Sequence, residues 1–322
     1  MVPTGRRHER ELPRVRSLDG ERYPDPGFIA TLKRALSLTA LGIVLAAAGL
    51  WLVGSILSLP FNHTVTRPPD FDAQDVAIPG GGHAIAAWWI DAGPGTSAVL
   101  LLHGVHDDRT AMIGRAKLLG KHGFSALLID LQGHGETPGE AITFGYRESS
   151  DVTAALTWLR SASGAPRKLA IIGCSMGGAA TLLAQQPTGA DALVLEAVFP
   201  RITRATENRL RMRIGPLAPA LTPLLLWQLP WHLHISASDL EPIRHIANVA
   251  APVLIVAGSR DEHTTLEESL ELYAAAPEPK SLWIVEGAKH QDFLAFDPKS
   301  YEATVVPFLQ KYLREQVNPA QR

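Results

Sequence analysis

Short apolar runs alternate with longer amphipathic stretches through most of the chain after residue 75. Eight runs have the length of β-strands, and those from Ala98 onward are apolar at nearly every position, as in strands buried on both faces of a parallel sheet. The predicted strands are Asp75–Ile78, Ala84–Ile90, Ala98–His103, Ser125–Ile129, Lys168–Ile172, Ala192–Leu195, Val253–Ala257 and Ser281–Val285. The predicted helices lie near 109–121, 147–161, 176–185, 265–275 and 299–314. This alternation predicts an α/β fold with a mostly parallel, eight-stranded sheet and helices on both faces.

A different pattern occupies residues 35–59, which contain no charged side chain. About 20 apolar residues cross the core of a bilayer as a helix, so this run is long enough to span it with some tilt. Lys33 and Arg34 precede the run, and Arg67 is the nearest lysine or arginine after it. The positive-inside bias therefore places the N-terminus in the cytoplasm and the folded domain outside. We predict a transmembrane signal anchor; a cleaved signal peptide and a buried core helix are the alternatives.

The overall composition narrows the possible functions. The 322 residues carry a net charge of −2, which argues against a nucleic-acid binder that relies on basic charge. Cys174 is the only cysteine, so an internal disulfide and a multi-cysteine metal site are excluded. Residues 1–34 carry eight basic and five acidic side chains and little apolar periodicity, which predicts a disordered cytoplasmic tail. Residues 60–74 are predicted to link the anchor to a folded domain at 75–318.

The strongest chemical signal follows the predicted strand at 168–172. The run Gly173-Cys174-Ser175-Met176-Gly177-Gly178 contains the pattern G-x-S-x-G and leads into a predicted helix. A serine nucleophile is presented on such a tight turn, with glycines where a Cβ would clash. An oxyanion needs two converging N–H groups, one from the residue after the nucleophile and one from an earlier strand-to-helix loop. These requirements predict Ser175 as nucleophile and the amides of Met176 and Val105 as the oxyanion hole.

Two further polar groups follow later strands. Asp261 comes just after the strand Val253–Ala257, and His290 comes in the loop after Ser281–Val285. Because the carboxyl ends of parallel strands meet at one edge of the sheet, both side chains are predicted to lie near Ser175. The order serine, aspartate, histidine is that of the α/β-hydrolase arrangement, in which histidine takes the serine proton and the carboxylate orients the imidazole.

Other residues compete for these roles. Glu196 also closes a strand and is an alternative carboxylate for the histidine. His134 lies in a glycine-rich turn and His263 lies in the Asp261 loop, so both are interpreted as loop histidines. His232 and His234 have no third ligand at a suitable spacing. The sequence therefore predicts neither a metal nor a cofactor.

Residues 200–240 are interpreted as an insertion that forms a cap over the site. The stretch 214–235 contains no Asp, Glu, Lys or Arg, but its four prolines argue against a continuous membrane-spanning helix. A span here would also separate the serine from the other two groups. Trp227 and Trp231 are predicted to lie in or near an acyl pocket, or to rest on a bilayer surface.

From about residue 75 to 315 the chain resembles the α/β-hydrolase superfamily. The motifs that carry the resemblance are Leu102-His103-Gly104, Asp130-Leu131-Gln132-Gly133-His134-Gly135, Arg147-Glu148-Ser149-Ser150-Asp151-Val152, Gly173–Gly178 and the strand ends with Asp261 and His290. They are most similar to the membrane-anchored Bem46-like serine hydrolases. The resemblance implies a Ser–His–Asp triad, hydrolysis of esters, thioesters or, less often, amides, and a single N-terminal anchor. Serine at position 175 speaks against dehalogenases and epoxide hydrolases, which use aspartate.

Together these features predict a membrane-anchored serine hydrolase that cleaves carboxylic esters, or thioesters, through an acyl-enzyme. The expected partners are a small ester with a hydrophobic acyl group and the membrane, with no nucleic acid and no cofactor. Two alternatives remain open, namely a serine peptidase on the same fold and a non-catalytic binding module.

Overall fold

Strands and helices alternate through residues 26–161, 166, 168–186 and 188–314, which the computed structural model describes. The strands are β1 (Phe61–Asn62), β2 (Gln74–Pro79), β3 (Ala84–Ile90), β4 (Ala98–Leu102), β5 (Ser125–Ile129), β6 (His134–Gly135), β7 (Leu169–Cys174), β8 (Ala192–Glu196), β9 (Val253–Gly258) and β10 (Lys280–Val285). The helices are α1 (Pro26–Leu57), α2 (Ile113–Lys121), α3 (Glu148–Ser161), α4 (Met176–Leu183), α5 (Ile202–Ile214), α6 (Ala218–Leu226), α7 (Leu229–Leu233), α8 (Ile243–Ile246), α9 (Leu266–Ala275), α10 (Phe293–Phe296) and α11 (Pro298–Leu313).

The main sheet has eight strands in the order β10-β9-β8-β7-β4-β5-β3-β2. β2 pairs antiparallel with β3 and β3 antiparallel with β5, whereas the remaining neighbours are parallel. The predicted α/β fold with a mostly parallel, eight-stranded sheet is confirmed. β1 and β6 form a separate two-stranded pair. Each strand has only two residues, which is too short to produce a recognisable pattern in the sequence.

Each face of the sheet carries its own apolar core, because successive strand residues point to opposite sides. Leu100 and Leu102 of β4 pack with residues of α3, α4 and α9 on one face. Val99 and Leu101 pack with residues of α2 and α11 on the other. All five residues of β4 are completely buried, which explains why this strand reads as a continuous apolar run.

The chain divides after Gly49 into two compact units. Helix α1 begins at Pro26, earlier than the predicted start at Ala35 and inside the predicted disordered tail of residues 1–34. A proline suits the first turn of a helix, where its missing N–H is not needed. The rest of that tail, residues 1–25, lies outside the described residues. The helix Gly27–Leu57 contains an 18-residue window with a mean hydropathy of 2.3 and is long and apolar enough to cross a membrane.

The predicted linker of residues 60–74 is not a loose tether but packs on the folded unit. β1 pairs in parallel with β6, and the Asn62 side chain donates hydrogen bonds to the carbonyl oxygens of Gly135 (3.2 Å) and Thr137 (2.7 Å). Val65 and Phe71 are buried. Isolated apolar side chains hold the segment without producing a periodic pattern, so the sequence did not indicate this packing.

The insertion at 200–240 consists mainly of the three short helices α5, α6 and α7. Pro219 lies in the first turn of α6 and Pro230 in the first turn of α7, where proline is tolerated. Pro219 and Pro230 therefore begin separate helices and Pro223 lies inside α6, so the apolar stretch is helical without forming one continuous helix. Among the described residues, Gly27–Leu57 is the one helix that meets the length and hydropathy of a membrane span.

Candidate active site

Ser175 lies on a strained turn between β7 and α4. Its backbone has φ of 47° and ψ of −109°, a conformation that a residue with a side chain rarely adopts and that persists at functional sites. The flanking backbone is tightly packed, since a Cβ at Gly173 would lie 2.7 Å from Gly178 Cα and one at Gly177 would lie 2.6 Å from the His103 carbonyl oxygen. The predicted glycines are therefore required by close approach of the backbone.

The imidazole of His290 connects Ser175 to Asp261. His290 Nε2 lies 3.2 Å from Ser175 Oγ, and His290 Nδ1 lies 2.7 Å from Asp261 Oδ2. The other carboxylate oxygen of Asp261 accepts hydrogen bonds from the backbone N–H groups of His263 (2.8 Å) and Thr264 (3.0 Å). The structure thus joins the three predicted side chains by consecutive hydrogen bonds, and the Asp261 carboxylate is fixed by the backbone of its own loop.

The loop after β4 places a backbone amide beside the serine. His103 Nδ1 donates to the Gly104 carbonyl oxygen at 2.7 Å, and His103 Nε2 accepts the Leu131 N–H at 3.0 Å. Burial lowers the pKa of His103 to about 4, so the ring is neutral at pH 7 and this tautomer satisfies both bonds. In a trans peptide the N–H points opposite to the C=O, so the Val105 N–H points away from His103.

The same loop lies close to Ser175, because a Cβ at Gly104 would lie 3.8 Å from Ser175 Cβ. Met176 is the first residue of α4, where backbone N–H groups have no acceptor inside the helix. The helix N-terminus also carries partial positive charge that favours an anion. Gly104 therefore lies beside Ser175 and Met176 begins the helix that follows it; the role of the Val105 and Met176 amides as oxyanion donors stays a prediction.

Glu196, the alternative carboxylate for the triad, does not contact His290 and has other hydrogen-bond partners. It accepts hydrogen bonds from Arg115 Nη2 (2.5 Å), Tyr301 Oη (2.5 Å) and Cys174 Sγ (3.3 Å). All of these groups lie beneath the serine turn, and burial raises the pKa of the Cys174 thiol. The Glu196 backbone carbonyl also accepts the Ser175 N–H at 2.8 Å. Glu196 supports the turn from below, and Asp261 is the carboxylate in contact with His290.

Arg115 extends this buried cluster toward the histidine. Its guanidinium lies 3.0 Å from the carboxylate of Asp292, which caps α10 two positions after His290. Sequence reasoning did not predict Arg115 or Tyr301, because both belong to helices far from the motif and look like ordinary helix residues. The one sequence signal of this cluster was their partner Glu196, because a carboxylate at the end of a buried strand needs buried hydrogen-bond donors nearby.

The other candidate histidines lie in different parts of the structure and do not form a metal site together. His263 stacks on His290 with ring centroids 4.9 Å apart, a contact that its sequence position two residues after Asp261 did not reveal. His134 is completely buried and burial lowers its pKa to about 3. His232 lies 3.3 Å from Gln228 Oε1. Across the described residues, no group of three or more histidine, cysteine or acidic side chains is arranged to hold a metal.

A cavity of about 710 Å³ opens in the cap. Leu226, Trp227 and Trp231 contribute to its wall, whereas Ser175 and His290 do not line it. Asn208 of α5 connects the cap to the Asp261 loop. Its side-chain Nδ2 donates hydrogen bonds to the His263 carbonyl oxygen (3.2 Å) and to the Glu268 carboxylate (2.9 Å).

Comparison with known proteins identifies the family. The family described as "Serine aminopeptidase, S33", a hydrolase family, matches residues 93–241. The uncharacterized protein Rv2307c of Mycobacterium tuberculosis is 33% identical over 216 residues, which are 66% of this chain and 69% of the relative. The chain belongs to the α/β-hydrolase family. The matching family is described by its serine chemistry, so the chain is an esterase-like serine hydrolase, in agreement with the sequence prediction.

A more distant sequence relative and two solved structures extend the comparison. Protein YqkD of Bacillus subtilis is 23% identical over 231 residues, 71% of this chain and 76% of the relative. Among solved structures, the Pyrococcus furiosus esterase Pf2001 superposes with a TM-score of 0.65 at 22% identity, covering 79% of this hydrolase and 100% of the esterase. The α/β hydrolase GrgF from a Penicillium species has a TM-score of 0.61 at 19% identity, covering 76% of this hydrolase and 99% of GrgF.

Proposed function

We propose that this α/β-hydrolase cleaves carboxylic esters or thioesters through an acyl-enzyme, with Ser175 as nucleophile, His290 as base and Asp261 as the carboxylate that orients the imidazole. The observation that carries the proposal is the line of hydrogen bonds from Ser175 Oγ through His290 to Asp261. Asp261 is buried and the His290 side chain is 21% exposed. The imidazole is therefore held on its carboxylate side and open to substrate on the other.

The arrangement supplies each proton transfer of ester hydrolysis. His290 Nε2 takes the hydroxyl proton as Ser175 Oγ attacks the carbonyl carbon, and Asp261 stabilises the resulting imidazolium. The tetrahedral oxyanion accepts hydrogen bonds from the amides of Val105 and Met176. Its collapse forms the acyl-enzyme and expels the alcohol, which leaves with the proton from His290. Water then repeats the sequence, giving up a proton to His290, and the carboxylic acid departs as Ser175 Oγ is reprotonated.

Three substitutions test these roles. Ser175→Ala and His290→Ala should each abolish nearly all turnover and labelling by a fluorophosphonate probe, because the members of a triad act as a unit. Asp261→Asn should lower kcat by several orders of magnitude, because the amide favours the wrong imidazole tautomer. Full activity in Asp261→Asn would refute the assignment of the carboxylate. Labelling of the native protein separates a catalyst from a non-catalytic binding module.

A peptidase is the second candidate, because the matching family is described as a serine aminopeptidase. The solved structure of Pf2001 is described as an esterase, which favours ester chemistry without deciding it. Comparing kcat/KM for p-nitrophenyl esters with that for aminoacyl p-nitroanilides distinguishes the two. We expect the ester to be preferred by at least about tenfold, about 1.4 kcal/mol in transition-state binding.

We infer that the enzyme belongs to the membrane-anchored Bem46-like group, with α1 as a signal anchor and the catalytic domain outside the cytoplasm. The uncharged stretch of α1 and the preceding Lys33 and Arg34 support this topology. A reporter that is active only outside the cytoplasm, fused after Arg322, should be active. Activity of a cytoplasm-only reporter at the same position would overturn the orientation, and release of the domain into solution would indicate a cleaved signal.

The proposed substrate carries a hydrophobic acyl chain of medium length. Trp227 and Trp231 line the cap cavity together with Leu226, whereas Ser175 does not, so we assign the two tryptophans to the far end of the acyl-binding wall. The purified full chain in detergent should favour octanoyl over acetyl esters, and Trp227→Ala should flatten the chain-length profile. Leu270→Ala, which truncates an exposed leucine on α9, is the matched control. A preference for acetyl, or a profile that Trp227→Ala leaves unchanged, contradicts the assignment.

A further inference from the structure

The cap presents apolar side chains on two sides. Leu225, Leu229 and Leu233 point into the protein and are at most 9% exposed. On the outside, four large apolar side chains of the same segment are between 51% and 66% exposed. These residues, which we term the cap face, are Leu217, Leu224, Trp227 and Trp231.

A surface of this kind is unusual for a protein that is surrounded only by water. Isolated exposed leucines are common, but large apolar patches mark interaction sites. The two indole rings lie 6.0 Å apart, and no charged residue interrupts the sequence between Ile214 and Ile235. The cap face therefore suits a partner that is itself apolar.

The last turns of α1 indicate which partner this is, because they are bound to the cap beside the cap face. Gln228 Nε2 donates to the Leu50 carbonyl oxygen at 3.2 Å, and the His232 ring lies 4.1 Å from the ring of Trp51. Gly54 permits this approach, since a Cβ there would lie 2.5 Å from Gln228 Oε1. Gln228 and His232 each directly follow a tryptophan of the cap face in the chain.

The position of these turns in the sequence sets their depth in a bilayer. Counted from Arg34, about 20 helical residues cross the hydrocarbon core, which places the far interface near Gly54. Trp51 lies in this zone, where tryptophan is enriched because its ring is amphipathic. Cap residues in contact with Leu50, Trp51 and Gly54 are therefore held at the depth where acyl chains meet headgroups.

The charge next to the cap face suits an anionic surface. The last turn of α5 carries Arg211 and Arg213, and both side chains are exposed. An apolar face bordered by arginine is the composition of segments that lie in the plane of a membrane interface. Arg211 is paired with Glu207 on the same helix, so Arg213 is the side chain that adds attraction to anionic headgroups.

We propose that the cap face rests in the interfacial layer of the bilayer that α1 spans, with Trp227 and Trp231 at the boundary between headgroups and acyl chains. The proposal depends on the proposed anchoring by α1. Because the same two tryptophans line the cap cavity, its entrance then lies at the level of the lipid acyl chains. A hydrophobic ester can reach the cavity along the membrane without crossing water.

Tryptophan quenching tests this contact in the full chain reconstituted into lipid nanodiscs that contain a phosphatidylcholine brominated on one acyl chain. Bromine quenches only indoles that it can touch. Trp227→Phe/Trp231→Phe should remove a substantial part of the quenchable fluorescence, as should Trp51→Phe. Trp158→Phe, which changes a tryptophan of α3, should leave the quenchable part unchanged.

The outcomes separate the two proposals. If the Trp51 contribution is not quenched, the anchoring by α1 is wrong and the docking proposal falls with it. If Trp51 is quenched but Trp227 and Trp231 are not, the anchor stands and the docking is refuted. Coverage of the cap face by a second copy or another protein also gives no quenching, and so counts against the proposal.

An environment-sensitive bimane label provides an independent measurement if the double variant misfolds. Leu224→Cys places the label on the cap face, and Leu270→Cys places it on an exposed leucine of α9. The native thiol of Cys174 is held beneath the serine turn, so the unsubstituted chain is the blank. Emission from position 224 should shift to the blue on reconstitution, while emission from 270 stays constant. Equal emission changes at the two positions would overturn the proposal.

Discussion

Removal of the guanidinium of Arg115 should destabilise the domain strongly. Arg115 and Glu196 have side chains that are 3% and 2% exposed, and Arg115 Nε and Nη2 contact the two carboxylate oxygens at 3.2 and 2.5 Å. Arg115→Met keeps most of the side-chain volume but leaves Glu196 as a buried carboxylate with only the donors Tyr301 Oη and Cys174 Sγ.

The magnitude follows from the burial of the pair. Removing one partner of a buried ion pair costs about 3–5 kcal/mol, because the remaining charge loses its compensation. In a domain of this size each kcal/mol lowers the Tm by about 2–4 °C. Arg115→Met should therefore lower the Tm by about 6–20 °C. In Arg115→Met/Glu196→Leu no charge of the pair is left behind, so the double variant should be more stable than Arg115→Met alone.

Activity provides a second measurement of the same change. Arg115 also holds Asp292, which follows His290 closely in the chain, and Glu196 supports the turn of Ser175. At a temperature where Arg115→Met is still folded, kcat should fall while KM for a short ester stays nearly constant. Such a split indicates misplaced catalytic groups rather than weaker substrate binding.

Thermal and urea unfolding followed by circular dichroism, with ester hydrolysis on the same samples, supply the data. Lys117→Met is a suitable control, because its ammonium lies on the same helix but is 43% exposed and an exposed pair contributes about 0–1 kcal/mol. If Arg115→Met and Lys117→Met shift the Tm equally, or if the double variant is less stable than Arg115→Met, the reasoning from burial is wrong.

Two further predictions concern the backbone turn and pH. Gly177→Ala should unfold or inactivate the enzyme, because the added Cβ would lie 2.6 Å from the His103 carbonyl oxygen. The control Gly120→Ala adds a Cβ in open space on α2 and should be neutral or stabilising by about 0.5–1 kcal/mol. Equal urea midpoints for the two variants would contradict this prediction. Burial lowers the pKa of His103 to about 4 and of His134 to about 3, so below pH 6.5 the unfolded chain binds more protons and stability falls toward pH 4, by up to about 1.4 kcal/mol per pH unit for each histidine. His134→Gln should reduce this slope in urea titrations between pH 7 and 4, and an unchanged slope would argue against the neutral buried imidazole.

Much of the fold was predictable because its information is local. β4 is buried on both faces, so its five apolar residues already indicate a central strand. The serine turn was predictable because its signature is local: the glycines lie within a few residues of Ser175, although the backbone that Gly177 approaches, at His103, belongs to a distant part of the chain. Asp261 and His290 could be proposed because parallel strands bring their carboxyl ends to one edge.

The contacts that escaped prediction join residues far apart in the chain. Arg115, Glu196 and Tyr301 belong to three separate elements, and only the packed sheet brings them together beneath Ser175. The pairing of β1 with β6 rests on two residues in each strand, which is below the length at which alternation can be recognised. The short cap helices were not predicted, because the prolines excluded a continuous helix without indicating where shorter ones begin and end.

The hydrogen bond from His103 to the Gly104 carbonyl fixes the direction of the Val105 amide independently of the Val105 side chain. It orients the amide of Val105 through the backbone, while the Val105 side chain contributes nothing to that orientation. In the proposed mechanism the Val105 amide is an oxyanion donor, so its direction depends on His103 rather than on the side chain at position 105, which packs against the apolar core. Laboratory evolution toward new esters can therefore vary residue 105, within the room that this core leaves, and keep the donor, whereas changes at His103 remove the bond that orients it.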